Sequence, residues 1–286
     1  MSVNVTGSTK IMGLLGHNIS YSLSPLIHNY SIKALDLNYV YTPFDLSPQA
    51  SLEAFLATLW DLGSPGFNVT VPYKYPIGKL VANDCHSSVN TLFRGPLGWE
   101  SASTDGQGFV EGVSRLGVSF SGFKDIVFLG NGGAVLGILE FLTSFFETAP
   151  NIHVLRRNKT RDNHFRSAVP HGYPIGFYSF EPEELSKLIG NRGGETLVVQ
   201  ATSAPSVGDP LSEFTPAMAA FSGVFVDLTY GSFSGLLAAA EHRGIPCQDG
   251  LSMLVEQARL SQKLWWGDSL GSDALHSLLQ QRGFDR

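Results

Sequence analysis

Residues 66–74 read GFNVTVPYK, and this stretch determines how the first half of the chain folds. Two valines alternate with Asn68 and Thr70 at the two-residue period of a β-strand, so the two polar side chains share one face. A proline ends the strand, and Lys74 follows just beyond it. A strand with one wet face and a solvated lysine would explain the pattern. An amide, a hydroxyl and an ammonium in a row would also suit a binding site.

Strand and helix patterns alternate around this stretch. The predicted elements are strands at 10–16, 39–46 and 66–72, helices at 25–36, 50–63 and about 106–116, and a hairpin at 89–94 and 99–104. This β-α-β-α-β series predicts an α/β domain with a mostly parallel sheet covered by helices.

The second half restarts the alternation. Residues 125–146 read as a buried strand, a glycine turn and a long apolar helix, and continuous apolar strands are predicted at 152–157, 196–203 and 223–230. This pattern predicts a Rossmann-type dinucleotide domain. Two amphipathic helices near the C-terminal end could return to the first domain. We therefore predict a substrate domain at 1–115, completed by 248–286, and a nucleotide domain at 116–247.

Composition favours small-molecule chemistry. The net charge is −6, and lysine and arginine form no run longer than a pair, which argues against a nucleic-acid surface. The two cysteines, Cys85 and Cys247, lack metal-ligand spacing, so we expect no metal site and a reducing compartment. No signal peptide or membrane-length apolar run is apparent, so a cytoplasmic protein that does not bind membranes is expected.

The glycine turn of the second half is a candidate dinucleotide site. It consists of Gly130, Asn131, Gly132, Gly133 and Ala134. A strand precedes this turn and a helix follows it, where backbone N–H groups and the helix dipole can hold a pyrophosphate. The third glycine of the full signature is replaced by valine, so a tight turn without a ligand is the alternative.

Arginines near the next strand favour NADP over NAD. An NAD-binding domain usually ends this strand with an acidic residue, whereas this chain has Arg156 and Arg157, followed by Arg161. A guanidinium matches a phosphate in a bidentate way, so these residues suit the 2′-phosphate of NADP. Solvated arginines at a strand end are the alternative.

Polar clusters recur at the ends of strands in the first half. Besides the opening stretch, SYSLSP (20–25), VNT (89–91) and STDGQG (103–108) offer paired hydroxyls, an amide and a carboxylate. Each alone could be a cap or a turn. Together they lie where parallel sheets bind ligands, and they suit a polyhydroxylated ring with a carboxylate.

These motifs resemble the shikimate dehydrogenases. The matching stretches, in family order, are SLSP at 22–25 followed by His28-Asn29, NVTVPYK at 68–74, VNT at 89–91, TDGQG at 104–108, GNGGA at 130–134 and GLSMLVEQ at 250–257. The resemblance implies NADP-dependent, reversible reduction of 3-dehydroshikimate to shikimate, in the biosynthesis of chorismate and aromatic amino acids. We expect a monomer or homodimer.

The resemblance implies roles for individual residues. Lys74 and Asp105 would be the catalytic pair, and Ser22 and Ser24 would hold the substrate carboxylate. The other implied substrate-binding residues are Asn68, Thr70, Asn90, Thr104, Tyr230 and Gln257, and Gly250 would join the glycine turn and the arginines at the cofactor. His28, on a helix face, is interpreted as structural.

Several positions depart from the family pattern. Ser103 and Tyr21 replace an asparagine and a histidine, and Gln200 stands where the family often has asparagine. These differences keep two alternatives open: a quinate/shikimate dehydrogenase using NAD or NADP, and a non-catalytic ligand-binding relative. Retention of both Lys74 and Asp105 argues against the second.

Overall fold

A computed structural model of the protein describes residues 4–81, 88–190 and 193–284, which form two compact units. The first unit comprises Met1–Gly108 and Leu254–Gly283, and the second comprises Phe109–Met253 and Phe284–Arg286. Cys85 lies outside the described residues, and Cys247 is a free thiol. Within the described residues, no helix combines the length and apolar character needed to span a membrane.

The first unit contains a five-stranded sheet flanked by helices. Its elements are β1 (Lys10–Gly16), α1 (Ser24–Ala34), β2 (Tyr39–Asp45), α2 (Leu52–Asp61), β3 (Gly66–Val69), α3 (Lys74–Val81), β4 (Thr91–Arg94), β5 (Trp99–Ala102) and the first residues of α4 (Asp105–Ser114). The strand order is β2-β1-β3-β4-β5. Strands β1, β2 and β3 are parallel, and β4 and β5 form the predicted antiparallel hairpin. The mostly parallel sheet is therefore confirmed.

The opening stretch ends differently from the prediction. Strand β3 stops at Val69, so Thr70 lies in the following turn, and Lys74 is the first residue of a helix that the sequence pattern did not predict. Thr70 still donates its N–H to Leu15 O at 2.8 Å, but its carbonyl oxygen turns to accept from Tyr73 N at 2.9 Å. Because Pro72 has no N–H to continue a ladder, the chain turns directly into α3.

The second unit contains a six-stranded parallel sheet. Its elements are β6 (Asp125–Leu129), α5 (Gly133–Phe145), β7 (Asn151–Arg156), α6 (Asp162–Ser167), β8 (Ile175–Ser179), α7 (Pro182–Ile189), β9 (Thr196–Gln200), β10 (Val224–Asp227), α8 (Gly235–His242) and β11 (Cys247–Gln248). The order β11-β10-β9-β6-β7-β8 is that of a Rossmann-type sheet, as predicted. Strand β6 is apolar throughout because both of its faces are buried. Phe128 packs in one buried cluster, and the adjacent Val127 packs in another.

Two helices close the chain, α9 (Leu251–Trp266) and α10 (Ser272–Gln281). Their residues from Leu254 onward belong to the first unit, which confirms the predicted return. Trp265 on α9 donates its indole N–H to Leu92 O of β4 at 2.8 Å. A Cβ at Gly66 would lie 2.3 Å from that indole nitrogen, so glycine at the start of β3 permits this contact.

A buried ion pair joins α9 to α10. Glu256 is 2% exposed, and it accepts hydrogen bonds from Arg259 on its own helix and from Ser272 at the start of α10. Arg259 also donates to Leu270 O at 3.0 Å, in the connection between the helices. The pair therefore fixes the position of the last helix.

Arg259→Ala is expected to lower the free energy of unfolding by about 3–5 kcal/mol, because it leaves the Glu256 carboxylate buried without its cation. Urea unfolding followed by circular dichroism measures the change. Lys263→Ala, an exposed residue of the same helix, is the control and should be nearly neutral. If Arg259→Ala lowered the free energy of unfolding by less than about 1 kcal/mol, the pair would contribute no more to stability than a surface salt bridge does.

Candidate active site

Two charged side chains that are distant in sequence meet in the first unit. Lys74 is the first residue of α3 and Asp105 the first residue of α4, and Lys74 Nζ donates a hydrogen bond to Asp105 Oδ2. Their side chains are 14% and 2% exposed. A carboxylate in the first turn of α4 is also favoured by the positive end of the helix dipole. The two groups predicted as a catalytic pair are therefore in direct contact.

Asn90 orients the carboxylate. Its Nδ2 donates to Asp105 Oδ1 at 2.8 Å and contacts Thr104 Oγ1 at 2.9 Å and Gln257 Oε1 at 3.3 Å. Its Oδ1 accepts from Thr104 N at 2.8 Å. This bond connects the residue before β4 to the residue before α4. With one carboxylate oxygen held by Asn90, the other is directed to Lys74.

Asn68 lies in β3 and belongs to the same network. Its Nδ2 donates toward three acceptors: Asn90 O at 3.2 Å, Thr91 Oγ1 at 3.0 Å and Ser261 Oγ at 2.9 Å. Its Oδ1 accepts from Tyr41 OH at 2.8 Å. The structure thus brings together the predicted residues Lys74, Asn68, Asn90, Thr104, Asp105 and Gln257.

Sequence reasoning missed Tyr41, Thr91 and Ser261 as members of this network. One signal was available for Ser261. It follows Gln257 by four residues on α9, so the two share a helix face, and Ser261 Oγ donates to Gln257 O at 3.0 Å. The inward hydroxyl of Tyr41 had no such signal, because β2 reads as an ordinary strand.

The paired serines stand at the start of α1. Ser24 is the first residue of that helix, and its backbone N–H donates to Ser22 Oγ at 3.3 Å. Ser24 is buried and Ser22 is partly buried. Thr70 lies after β3 and packs against Gly16. A Cβ added to Gly16 would lie 2.6 Å from the Thr70 methyl carbon Cγ2. The roles of these three residues in substrate binding stay predictions.

The glycine turn of the second unit fits a dinucleotide. Gly130 has φ +114°, and a Cβ there would lie 2.9 Å from Thr202 Cγ2. Gly132 is the N-cap of α5 and caps it without a side chain. Asn131 connects the turn to the loop after β7, because its side chain donates to Asn158 O at 2.8 Å and its carbonyl accepts from Arg161 at 3.3 Å. A glycine N-cap lets an anion approach the backbone at the start of α5.

The arginines differ from one another in their surroundings. Arg156 is 9% exposed and its Nε and Nη2 form a forked ion pair with Asp162, at 3.0 Å and 2.7 Å, while Nη1 donates to Tyr178 O at 2.6 Å. Its Nε, Nη1 and Nη2 therefore each bind a partner inside the unit, and its predicted contact with the cofactor stays a prediction. Arg157 is 66% exposed and Arg161 is also exposed, so both can reach a phosphate.

Two other predicted residues lie after β10. Tyr230 follows the strand by three residues and is partly buried, and its role in substrate binding stays a prediction. A Cβ at Gly250 would lie 2.3 Å from Leu228 O, so the backbone after β10 requires glycine there. Packing alone explains Gly250, and its predicted contact with the cofactor stays a prediction.

Gln200, a departure from the family pattern, has a defined place in the structure. It donates to Asp227 Oδ1 at 3.1 Å and accepts from Thr202 Oγ1 at 2.8 Å. Burial raises the pKa of the Asp227 carboxyl. The glutamine side chain, which is longer than that of asparagine, therefore links the ends of β9 and β10. It also binds Thr202, the residue on which Gly130 packs.

Comparison with known proteins gives a consistent result. Residues 14–90 match the family described as "Shikimate dehydrogenase substrate binding domain". The chain is 32% identical to a protein named "Shikimate dehydrogenase (NADP(+))" from Trichormus variabilis, over 97% of this chain and 98% of that protein. A protein of the same name from Caldanaerobacter subterraneus is also 32% identical, over 97% of this chain and 99% of its own length.

Solved structures share the fold. Shikimate 5-dehydrogenase from Listeria monocytogenes, in complex with shikimate and NAD, superposes with a TM-score of 0.83 at 21% identity, over 98% of this chain and 99% of that chain. Quinate dehydrogenase from Corynebacterium glutamicum, in complex with NAD, superposes with a TM-score of 0.78 at 20% identity, over 96% and 99%. Fold alone does not separate the two substrates.

Proposed function

The chain belongs to the shikimate dehydrogenase family, and we propose that it reversibly reduces 3-dehydroshikimate to shikimate with NADPH. The observation that carries the proposal is the contact between Lys74 and Asp105, with the carboxylate oriented by Asn90. A binding protein would need neither a preplaced ammonium nor its buried counterion. Relatives named as NADP-dependent shikimate dehydrogenases, at 32% identity over nearly the full length, support the same reaction.

The reaction places negative charge where this site offers a cation. When NADPH is bound it supplies a hydride, and reduction of the ketone develops negative charge on the carbonyl oxygen. Lys74 donates a proton to that oxygen, or withdraws one from the hydroxyl in the reverse direction. Asp105 holds the ammonium in place before reaction, so little reorganisation is needed. The buried position of both groups strengthens their interaction with the developing charge.

The rest of the proposed substrate site follows from the chemistry of the ligand. Ser22 and Ser24 hold the carboxylate through their hydroxyls at the start of α1. Gln257 and Thr70 serve ring hydroxyls, together with Asn68 and the other predicted substrate-binding residues. Apart from Tyr230, these side chains come from several elements and turns of the first unit, so the proposed site forms only when that unit is folded.

An NADP-binding site is proposed in the second unit. The turn at 130–134 would hold the pyrophosphate against the N-terminus of α5, and Arg157 and Arg161 would hold the 2′-phosphate. Arg157 lies over the Phe180 ring, with its guanidinium carbon 4.6 Å from the ring centroid, which supports the side chain without using its donors.

Arg157→Gln is expected to raise the KM for NADP about tenfold and to leave the KM for NAD unchanged, because only NADP carries the phosphate that pairs with the guanidinium. Initial rates at varied cofactor concentration measure both constants. Arg166→Gln is the matched control, since Arg166 is an exposed arginine that also lies over a phenylalanine ring. An equal rise for both cofactors would remove Arg157 from phosphate recognition.

Steady-state rates at the nicotinamide absorbance band test the proposed function. Purified protein is assayed with shikimate and quinate, each with NADP and NAD. The proposal predicts the largest kcat/KM for shikimate with NADP. A preference for quinate would assign the chain to quinate-using relatives, and absence of turnover with all four pairs would indicate a non-catalytic ligand-binding protein.

The predicted cytoplasmic location and the monomeric or homodimeric state belong to the same proposal. Small phosphorylated cofactors such as NADPH are available in the cytoplasm, and Cys247 is a free thiol, as expected for a reducing compartment. Fractionation and light scattering would test these two predictions.

A further inference from the structure

The amide of Asn68 has an unambiguous orientation. Asn90 O is a backbone carbonyl and can only accept, so the side-chain atom of Asn68 that faces it must be the NH2 group. The carbonyl Oδ1 therefore points the other way, toward Tyr41 OH, which donates to it at 2.8 Å. The three acceptors around Nδ2 compete for two hydrogens. The Asn68 amide thus faces these three groups with its donors and faces Tyr41 with its carbonyl oxygen.

His28 is buried beside Tyr41, the residue that donates to Asn68 Oδ1. It is 1% exposed, stacks on the Tyr41 ring with centroids 4.3 Å apart, and contacts the Trp265 ring at 5.1 Å. Its ring lies within hydrogen-bonding reach of the Asn68 side chain. Because Oδ1 is the accepting side of that amide, a ring nitrogen that bonds to it carries a hydrogen.

Gln262 sets the state of the other ring nitrogen. Its side chain is fully buried, and Nε2 lies 3.2 Å from His28 Nδ1. With the other ring nitrogen protonated toward Asn68 and the ring neutral, Nδ1 presents its lone pair and accepts from the Gln262 amide. Burial lowers the pKa of His28 to about 3, which agrees with a ring that stays neutral. A second ring proton would place one N–H against another and would cost the Gln262 hydrogen bond.

We propose that His28, as the neutral Nε2–H tautomer, is a positioning residue for substrate binding. It acts with Tyr41 to hold Asn68 Oδ1, and Gln262 fixes the tautomer. The inference rests on the proposed function in one respect, since Asn68 is proposed there to bind a ring hydroxyl. Two donors on one oxygen resist rotation of the amide, so its hydrogens stay directed at Asn90 O, Thr91 and Ser261.

The first experiment is a double-mutant cycle on the two donors. His28→Phe keeps an aromatic ring against Tyr41 but loses the N–H, and Tyr41→Phe loses only the hydroxyl. Each single variant leaves one donor on Oδ1 and should raise the KM for shikimate about fivefold. The double variant should lose more than the product of the two, with the KM for NADP unchanged. Strictly additive losses would overturn the proposal.

Matched variants separate positioning from packing. The amide nitrogen of glutamine can occupy the place of Nε2, whereas that of asparagine lies near the place of Nδ1. His28→Gln should therefore recover most of the shikimate affinity, and His28→Asn should not. Tyr39→Phe is the control, because Tyr39 lies on the same strand as Tyr41 but stacks on Trp266. Its affinity for shikimate should be unchanged. Equal affinity in the glutamine and asparagine variants, at equal thermal stability, would reduce His28 to a packing residue.

The tautomer is tested without any substrate. Long-range ¹H–¹⁵N spectra of the free protein should show one protonated and one unprotonated nitrogen in the His28 ring, without titration between about pH 5 and 8. A hydrogen on Nδ1, or a doubly protonated ring, would refute the positioning inference. Inactivity of the wild-type protein with shikimate and quinate would instead refute the proposed function, and the spectrum would still report on the tautomer.

Discussion

Lys74→Ala is expected to lower kcat about 10²–10³-fold, the loss measured when a single preplaced donor to a developing oxyanion is removed. The dissociation constant for shikimate should change only a few-fold, because most contacts with the substrate are proposed to come from other residues. Initial rates at saturating substrate give kcat, and equilibrium titration gives the dissociation constant. The effect is expected to be large because Lys74 is held by Asp105 before substrate arrives.

Lys79→Ala is the matched control for this prediction. Lys79 lies on the same helix, α3, is exposed, and has its ammonium 4.4 Å from the centroid of the Tyr75 ring. Its kcat should equal that of the wild type. If Lys74→Ala instead lost affinity and turnover by the same factor, Lys74 would be a binding residue and not a catalytic one.

Asp105→Asn is expected to lower kcat about 10²–10⁴-fold, within the range found for groups that take part in proton transfer. The change is nearly isosteric but removes the charge that holds Lys74. In the wild type, Asn90 Nδ2 donates to one carboxylate oxygen and Lys74 Nζ donates to the other. In the asparagine variant one of these oxygens becomes an NH2 group, which then faces either the Asn90 amide or the Lys74 ammonium. Rates measured across pH should show the loss at every pH, since no pH restores a charge to asparagine.

The double variant tests whether Lys74 and Asp105 act as one unit. Lys74→Ala combined with Asp105→Asn should lose no more than the poorer single variant, because the second change removes a partner that already has no function. Asp61→Asn, an exposed aspartate at the end of α2, is the control for the loss of one negative charge. Losses that multiply would show that the two residues act independently.

The sequence predicted the α/β architecture because the signals were local. The apolar runs of β1 and β6 follow directly from burial on both faces of their sheets. The contact between Lys74 and Asp105 was predictable for a different reason. Each follows the end of a strand, and the resemblance to a family linked two stretches that no local pattern connects.

Other features depended on tertiary contacts that the sequence does not display. The pattern around Arg156 resembled a phosphate site, but its position on β7 directs the guanidinium to Asp162 and to Tyr178 O. Edge strand β8, which is only partly buried, has too weak a pattern to be recognised. The helix at Lys74 was missed because a strand pattern continues past the residue where the ladder ends.

Single-turnover hydride transfer tests the central claim most directly. Wild-type protein and Lys74→Ala are each mixed with NADPH and then with saturating 3-dehydroshikimate in a stopped-flow instrument, and the loss of nicotinamide absorbance is followed. We predict that the variant binds both ligands as the wild type does but oxidises NADPH about 10²–10³-fold more slowly. An equal rate of NADPH oxidation in the two proteins would contradict the assignment of Lys74 to catalysis.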